Sequence, residues 1–225
     1  MIPLQTFDPK SDFSIIERSR LPHWVQAGTV CFITWRTWDS LPEAVVERWL
    51  NDRRQWLRQH GINPISANWR RAVSELAPER QSEFREFVST RFESELDQAH
   101  GECVLRQQEL SQIVSQSLLY FDEQRYVMTD FVVMPNHVHL LAAFATEEGM
   151  LQQCDSWKYF TATQINRRLA CKGRFWQEDQ FDHLVRSPED FSHFRSYIAE
   201  NPKRARLRPG EYIHFTKDLS LRMPR

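Results

Sequence analysis

At 225 residues, 41% of them hydrophobic and 26% charged, the chain is long enough for one substantial core and has the make-up of a globular protein. Its formal net charge of −1 does not announce a nucleic-acid binder, so any hold on a polyanion would rest on a local basic face. No apolar run nears the ~20 residues of a membrane span, and four cysteines without a CxxC pair argue against a zinc cluster or a disulfide-stapled secreted domain.

In chain order, residues 1–8 lack the basic flank and apolar stretch of a signal peptide. A cytoplasmic protein with reduced thiols and no membrane contact is therefore expected. Residues 19–24 read as an extended lead-in broken by Pro22, and residues 28–37, rich in β-branched and aromatic side chains, as a strand. Ser40, Pro42 and Glu43 predict a Ser-capped entry to a helix over 43–60, ended by Gly61. Residues 62–100 are charged, with Phe84, Phe87, Val88, Phe92 and Leu96 at helical spacing. Their thin apolar content predicts a helical insertion, about 43–104 in all, within a single domain spanning 1–225. Residues 107–120 place Leu110, Ile113, Val114 and Leu118 on one helical face. Residues 126–134 then read as a strand, Pro135-Asn136 as a tight break, and residues 137–144 as a second strand antiparallel to the first. A helix over 151–169 closed by Gly173 follows, then extended or irregular chain at 175–176 and 181–186. The last helix starts at Ser187-Pro188-Glu189-Asp190 and is halted by Pro202. Strands with short returns and separately grouped helices predict an α+β sandwich with an antiparallel sheet.

Charge is unevenly spread along this order. Residues 156–225 hold fourteen Lys/Arg against eight Asp/Glu, an excess of six, and a basic tail starts near 203. A nucleic-acid face and an ordinary solvated surface both fit that bias.

Two constellations carry chemistry. On a strand, side chains two apart share a face with their Cβ atoms about 6–7 Å apart. His137 and His139 can thus converge on one ion while Val138 packs on the opposite face. Two histidines on a strand are also common with no ion between them. Tyr197 and Asn201 are four apart on a predicted helix and stand one above the other, with Lys203, Arg204 and Arg206 just beyond. A phenol is a poor nucleophile at neutral pH unless cations stabilise its anion and neutralise the phosphate it attacks. A packed tyrosine beside a cation-rich helix end is the plain reading of the same residues.

The segment Val133-Met134-Pro135-Asn136-His137-Val138-His139-Leu140-Leu141 resembles the metal-binding motif of HUH single-strand transposases, which include the tyrosine transposases associated with repetitive extragenic palindromes. Phe175-Trp176-Gln177, then Phe181-Asp182-His183-Leu184-Val185-Arg186, then Tyr197-Ile198 with Asn201-Pro202 follow in the order of that group. The likeness covers about residues 20–40 and 105–208. It implies a ferredoxin-like (RRM-like) sandwich, with His137, His139 and Asn201 as ligands of a divalent metal, Mg²⁺ or Mn²⁺, and Tyr197 as the nucleophile. It also implies nicking and rejoining of single-stranded or hairpin DNA through a 5′-phosphotyrosine intermediate, by a monomer or homodimer. Lys158, Arg167, Arg168, Arg174, Trp176, Lys203 and Arg204 are the candidate DNA contacts, with His183 and Arg186 as further residues that could face the site. Two positions depart from the pattern. Gln180 stands where many relatives have an aromatic residue, and Arg206 where glycine is common. A domesticated hairpin-DNA binder without cleavage and a hydrolase using water are the alternatives.

Overall fold

The computed structural model describes residues 2–18, 21–66, 68–81, 83–84, 87, 100–178 and 180–219. In chain order its elements are β1 (Ser14–Arg18), β2 (Leu21–Val25), β3 (Val30–Arg36), α1 (Glu43–Gln59), α2 (Trp69–Ser74), a 3-10 turn (Val104–Arg106), α3 (Gln108–Leu119), β4 (Tyr126–Val133), β5 (His137–Phe144), α4 (Glu147–Arg168), β6 (Phe181–Leu184), α5 (Pro188–Arg204) and β7 (Ile213–Thr216). They divide into two compact units, Met1–Trp38 with Glu102–Arg225, and Asp39–Gly101.

In the larger unit, β1 and β2 form an antiparallel hairpin. The other strands make one sheet in the order β6-β3-β5-β4-β7, with every neighbouring pair antiparallel. The run β3–α3–β4–β5–α4–β6, with strands ordered β6-β3-β5-β4, is a ferredoxin-like fold, extended at one edge by β7. The expected α+β class is the one observed.

Strand β5 is buried along its whole length and sorts its side chains by parity. Val138, Leu140, Ala142 and Phe144 join Leu110, Val114 and Leu118 of α3 and Leu151, Cys154 and Trp157 of α4 in the larger apolar cluster. Leu141 and Ala143 turn the other way, to Phe191, Tyr197 and Ile198 of α5. The sheet thus has α3 and α4 on one face and α5 on the other. Burying each such aliphatic side chain stabilises the fold by about 1.5–3 kcal/mol. A bulge at Thr129 swaps the parity of β4, since its register against β5 shifts between Met128 and Asp130. Tyr126 and Met128 face α3 and α4 before it, whereas after it Phe131 and Val133 do so and Val132 faces α5. Thr129 Oγ1 donates to the Leu141 carbonyl, 3.1 Å, which satisfies the buried hydroxyl.

Several element ends differ from expectation, each for a local reason. Helix α1 begins behind Pro42 with no side-chain cap, because Ser40 is buried two residues earlier. Helix α4 starts at Glu147, where Thr146 Oγ1 accepts the Gly149 amide at 3.1 Å. It closes at Ala170 rather than Gly173. Ala170 takes φ +51°, and the Cys171 amide donates to the Asn166 carbonyl at 3.0 Å. Pro202 does not halt α5. It forfeits only one bond, in the last turn, and the helix ends in a paired closure with Arg206 N–H to Lys203 C=O, 3.0 Å, and Leu207 N–H to Pro202 C=O, 2.8 Å. Arg206 sits there at φ +55°, a conformation glycine accepts more readily than an L side chain does. Residues 181–184 form β6 and pair with β3. Pro22 lies within β2 rather than breaking an extended lead-in.

In the smaller unit, Trp56, Leu57 and Ile62 are buried together, with Trp69, Val73, Leu76, Phe84 and Phe87 packed around them. Val88, Phe92 and Leu96 of its helical pattern lie outside the described residues. Among the described residues no helix is long and apolar enough to cross a membrane. None of the four cysteines is in a disulfide; Cys31, Cys103 and Cys154 are buried and Cys171 is exposed.

Candidate active site

The α5 face of the sheet is apolar over most of its area and polar at one end. His137 and His139 lead β5 on that face, at 1% and 0% exposure. Helix α5 meets them because Phe191, Phe194, Tyr197, Ile198 and Asn201 recur at the three- and four-residue spacing of a single helical stripe. Its first turns present hydrocarbon, and its last turns present the phenol of Tyr197 and the amide of Asn201. Both are buried, Asn201 completely.

Within one chain the four predicted groups come together. The His137 and His139 rings lie 4.6 Å apart between centroids, at 74°, and the Tyr197 ring lies 5.1 Å from His139 at 76°. Phe32 of β3 wedges the cluster, 5.5 Å from His139 and 5.8 Å from Tyr197, and it stacks on Phe194 at 4.4 Å. The Arg204 guanidinium lies 5.1 Å from the centre of the Tyr197 ring, placing positive charge over the phenol.

Each imidazole is held by its Nδ1 atom. His137 Nδ1 meets Asn136 Oδ1 at 2.7 Å, and His139 Nδ1 meets Thr34 Oγ1 at 2.7 Å. The Nε2 atoms of both rings are buried and have no hydrogen-bond partner among the described residues. Burial pushes His137 down to about 3, a depression that the nearby Asn201 amide offsets only in part. Burial also drives His139 well down, helped by the neighbouring His137 and Arg204. Both rings are therefore neutral at physiological pH. Buried polar atoms ordinarily find partners. Two neutral nitrogen donors beside an amide side chain are a donor set suited to a divalent cation, with coordination positions to spare. No group of three His, Cys, Asp or Glu able to hold a metal occurs among the described residues.

The candidate DNA contacts scatter. Lys203 and Arg204 are exposed at the end of α5 beside the cluster. Arg167 and Arg168 are exposed on α4, the layer on the far face of the sheet, and Arg168 pairs with Glu109 at 3.4 Å. Arg174 is exposed, 4.8 Å from the centre of the Trp38 ring. Lys158 and Trp176 are corrected by their burial. The Lys158 ammonium donates to the Glu178 carbonyl and to Gln180 Oε1, both at 2.7 Å, and so points inward. Trp176 is 4% exposed, donates Nε1–H to Thr161 Oγ1 at 2.8 Å and packs in the main core, so its ring offers no stacking platform. His183 lies 5.4 Å from the Phe194 ring and 3.6 Å from Asp190 Oδ2, while Arg186 is exposed.

Residue-by-residue reading of the sequence passed over Thr34, Asn136, Phe32 and Arg36. Arg36 pairs directly with His137 across the β3–β5 ladder, as Thr34 pairs with His139, so all four share the α5 face. Burial lowers the Arg36 guanidinium to about 10, which leaves it charged at neutral pH. The alternation of Phe32, Thr34 and Arg36 in β3 was the available signal, but only the register shows which strand they lie against.

The site thus sets a buried histidine pair of an antiparallel ferredoxin-like sheet against a tyrosine-bearing helix. No family model and no curated protein matches the chain. A solved structure of a REP-associated tyrosine transposase bound to a REP hairpin is similar to it at 12% identity, over 92% of this chain and 99% of that one, with a TM-score of 0.42.

Proposed function

We propose that this protein is a metal-dependent endonuclease and strand-transfer enzyme of the HUH tyrosine transposase type, which nicks and rejoins single-stranded or hairpin DNA. The observation that carries the reading is the meeting, inside one chain, of Tyr197 with His139 at 5.1 Å between ring centres, with the buried Asn201 one helical turn beyond. That is the juxtaposition the motif resemblance requires.

Tyr197 Oη attacks the scissile phosphorus in line, forming a 5′-phosphotyrosine bond as the P–O3′ bond breaks. The phenolic proton is lost and the departing O3′ gains one, leaving a free 3′-hydroxyl. Attack of a second 3′-hydroxyl on the phosphotyrosine restores the phenol and joins DNA, so no ATP is consumed. Arg204 favours the developing phenolate through its position over the ring, and Arg36 places a cation on the phosphate side of the histidine pair. His137, His139 and Asn201 would hold a divalent ion, Mg²⁺ or Mn²⁺, which when bound supplies charge neutralisation at the phosphate. Lys203 and Arg204 would track the DNA backbone leaving the site.

The test is a labelled hairpin flanked by single strand, incubated with Mn²⁺ and resolved under denaturing conditions. A protein-linked band is expected from the native chain, and Tyr197→Phe, which has no oxygen to form the link, should abolish it. Tight binding with no band would point to a hairpin binder. Cleavage retained by Tyr197→Phe would point to a hydrolase using water.

A further inference from the structure

The three-residue link between β4 and β5, Met134 to Asn136, is fastened from both sides. The Pro135 carbonyl accepts the Leu105 amide at 3.2 Å, and the Asn136 carbonyl accepts the Thr37 amide at 2.8 Å. The Met134 amide donates to the His137 carbonyl at 2.8 Å and closes the turn. The Asn136 side chain, fully buried, is thereby delivered to His137 with its carbonyl oxygen 2.7 Å from Nδ1. Thr34, 2% exposed and opposite His139 in the β3–β5 register, brings its hydroxyl 2.7 Å from the second Nδ1.

We infer that Asn136 and Thr34 are positioning residues that fix both imidazoles as their Nδ1–H tautomers and so turn two Nε2 lone pairs into the site. The inference rests on the function proposed above. An amide oxygen only accepts, so the neutral ring of His137 must carry its proton on Nδ1 and its lone pair on Nε2. A threonine hydroxyl accepts equally well, and with Nδ1–H donating to Thr34 the ring of His139 is in the same state. Neither Nε2 atom makes a hydrogen bond of full geometry among the described residues, and the Asn201 amide lies beside the His137 ring, close enough to oppose its depression. Groups that hold the far nitrogen of a ligating histidine set its orientation and basicity, and their loss commonly weakens metal affinity by about 10–100-fold. Asn136 and Thr34 act through the histidines and need not touch DNA.

Two readouts separate this role from a merely structural one. In metal-free protein with ¹⁵N-labelled histidine, assigned with the His137→Gln and His139→Gln variants, both rings should show a protonated Nδ1 and a bare Nε2. Thr34→Val should shift His139 alone toward a tautomer mixture, and Asn136→Ala should shift His137 alone, with Thr34→Ser restoring the native pattern. Mn²⁺ titrated into each folded variant should bind about 10–100-fold more weakly in Thr34→Val and Asn136→Ala. In Asn136→Asp, whose carboxylate remains an acceptor, it should bind at least as tightly as in the native chain. An Nε2–H tautomer at both rings of the native protein overturns the inference. So does unchanged Mn²⁺ affinity in both Thr34→Val and Asn136→Ala while the native chain still binds the ion. No Mn²⁺ binding by the native chain would overturn the metal-site reading, and this inference with it.

Discussion

The two faces of one strand divide the labour of this protein. On the α3 and α4 face of β5, Val138, Leu140 and Ala142 are hydrocarbon against hydrocarbon. On the α5 face the same strand begins with two imidazoles whose Nε2 atoms are buried without partners among the described residues, before reverting to Leu141 and Ala143. The first face stabilises. The second spends some of that stability on polar groups in place, and it does so only at the end where α5 brings Tyr197 and Asn201.

Exchanging damage between the faces tests this division. His139→Gln should cut strand transfer by about two to three orders of magnitude, as the loss of a preorganised electrostatic contact does, with little change in the denaturation midpoint. Leu140→Ala, its sequence neighbour, should do the reverse and destabilise by about 2–5 kcal/mol, with activity per folded molecule unchanged. If both variants lost the same property, the faces would not be separable.

Acid should sharpen the contrast in the metal-free protein. Unfolded imidazoles titrate near 6.5, whereas burial holds His137 at about 3 and His139 well down in the folded chain. The unfolded state then binds more protons, so stability falls as pH drops below about 6.5, by up to about 1.4 kcal/mol per pH unit for each ring. Urea midpoints between pH 7 and 4.5 should show this slope, and it should flatten in a His137→Gln, His139→Gln double variant.

The smallest effects concern the lysines. Lys158→Met should cost about 1–3 kcal/mol by removing a buried, doubly bonded ammonium, and leave DNA affinity alone. Lys203→Gln should weaken binding across sequences and reduce the salt slope by about one unit, and leave stability alone.

The sequence showed the parts whose signal is periodic. The two-residue spacing of His137 and His139 on a strand and the four-residue spacing of Tyr197 and Asn201 on a helix were legible, the resemblance implied that the two elements face each other, and they meet. It concealed what depends on breaks in periodicity or on distant partners. The bulge at Thr129 reverses which residues of β4 face α5, and the polar pair Thr129-Asp130 that interrupts the apolar run does not by itself reveal the change of register. Ala170 and Arg206 close helices in a left-handed conformation that composition assigns to glycine. Lys158 reads as a surface charge until the Glu178 carbonyl and Gln180 are seen to receive its ammonium. Strand β7, only four residues long, takes its place from the edge of β4.

The smaller unit, Asp39–Gly101, begins and ends side by side. At Gly101, φ is +88° and an added Cβ would fall 2.6 Å from Asp39 Oδ2 and 2.8 Å from the Asp39 carbonyl oxygen. Its first and last residues are thus almost touching. A segment with coincident ends is a cassette: a single recombination event can refit it with a different attachment, and an engineer can splice a reporter there, while the strand ladder is spared any change of reach.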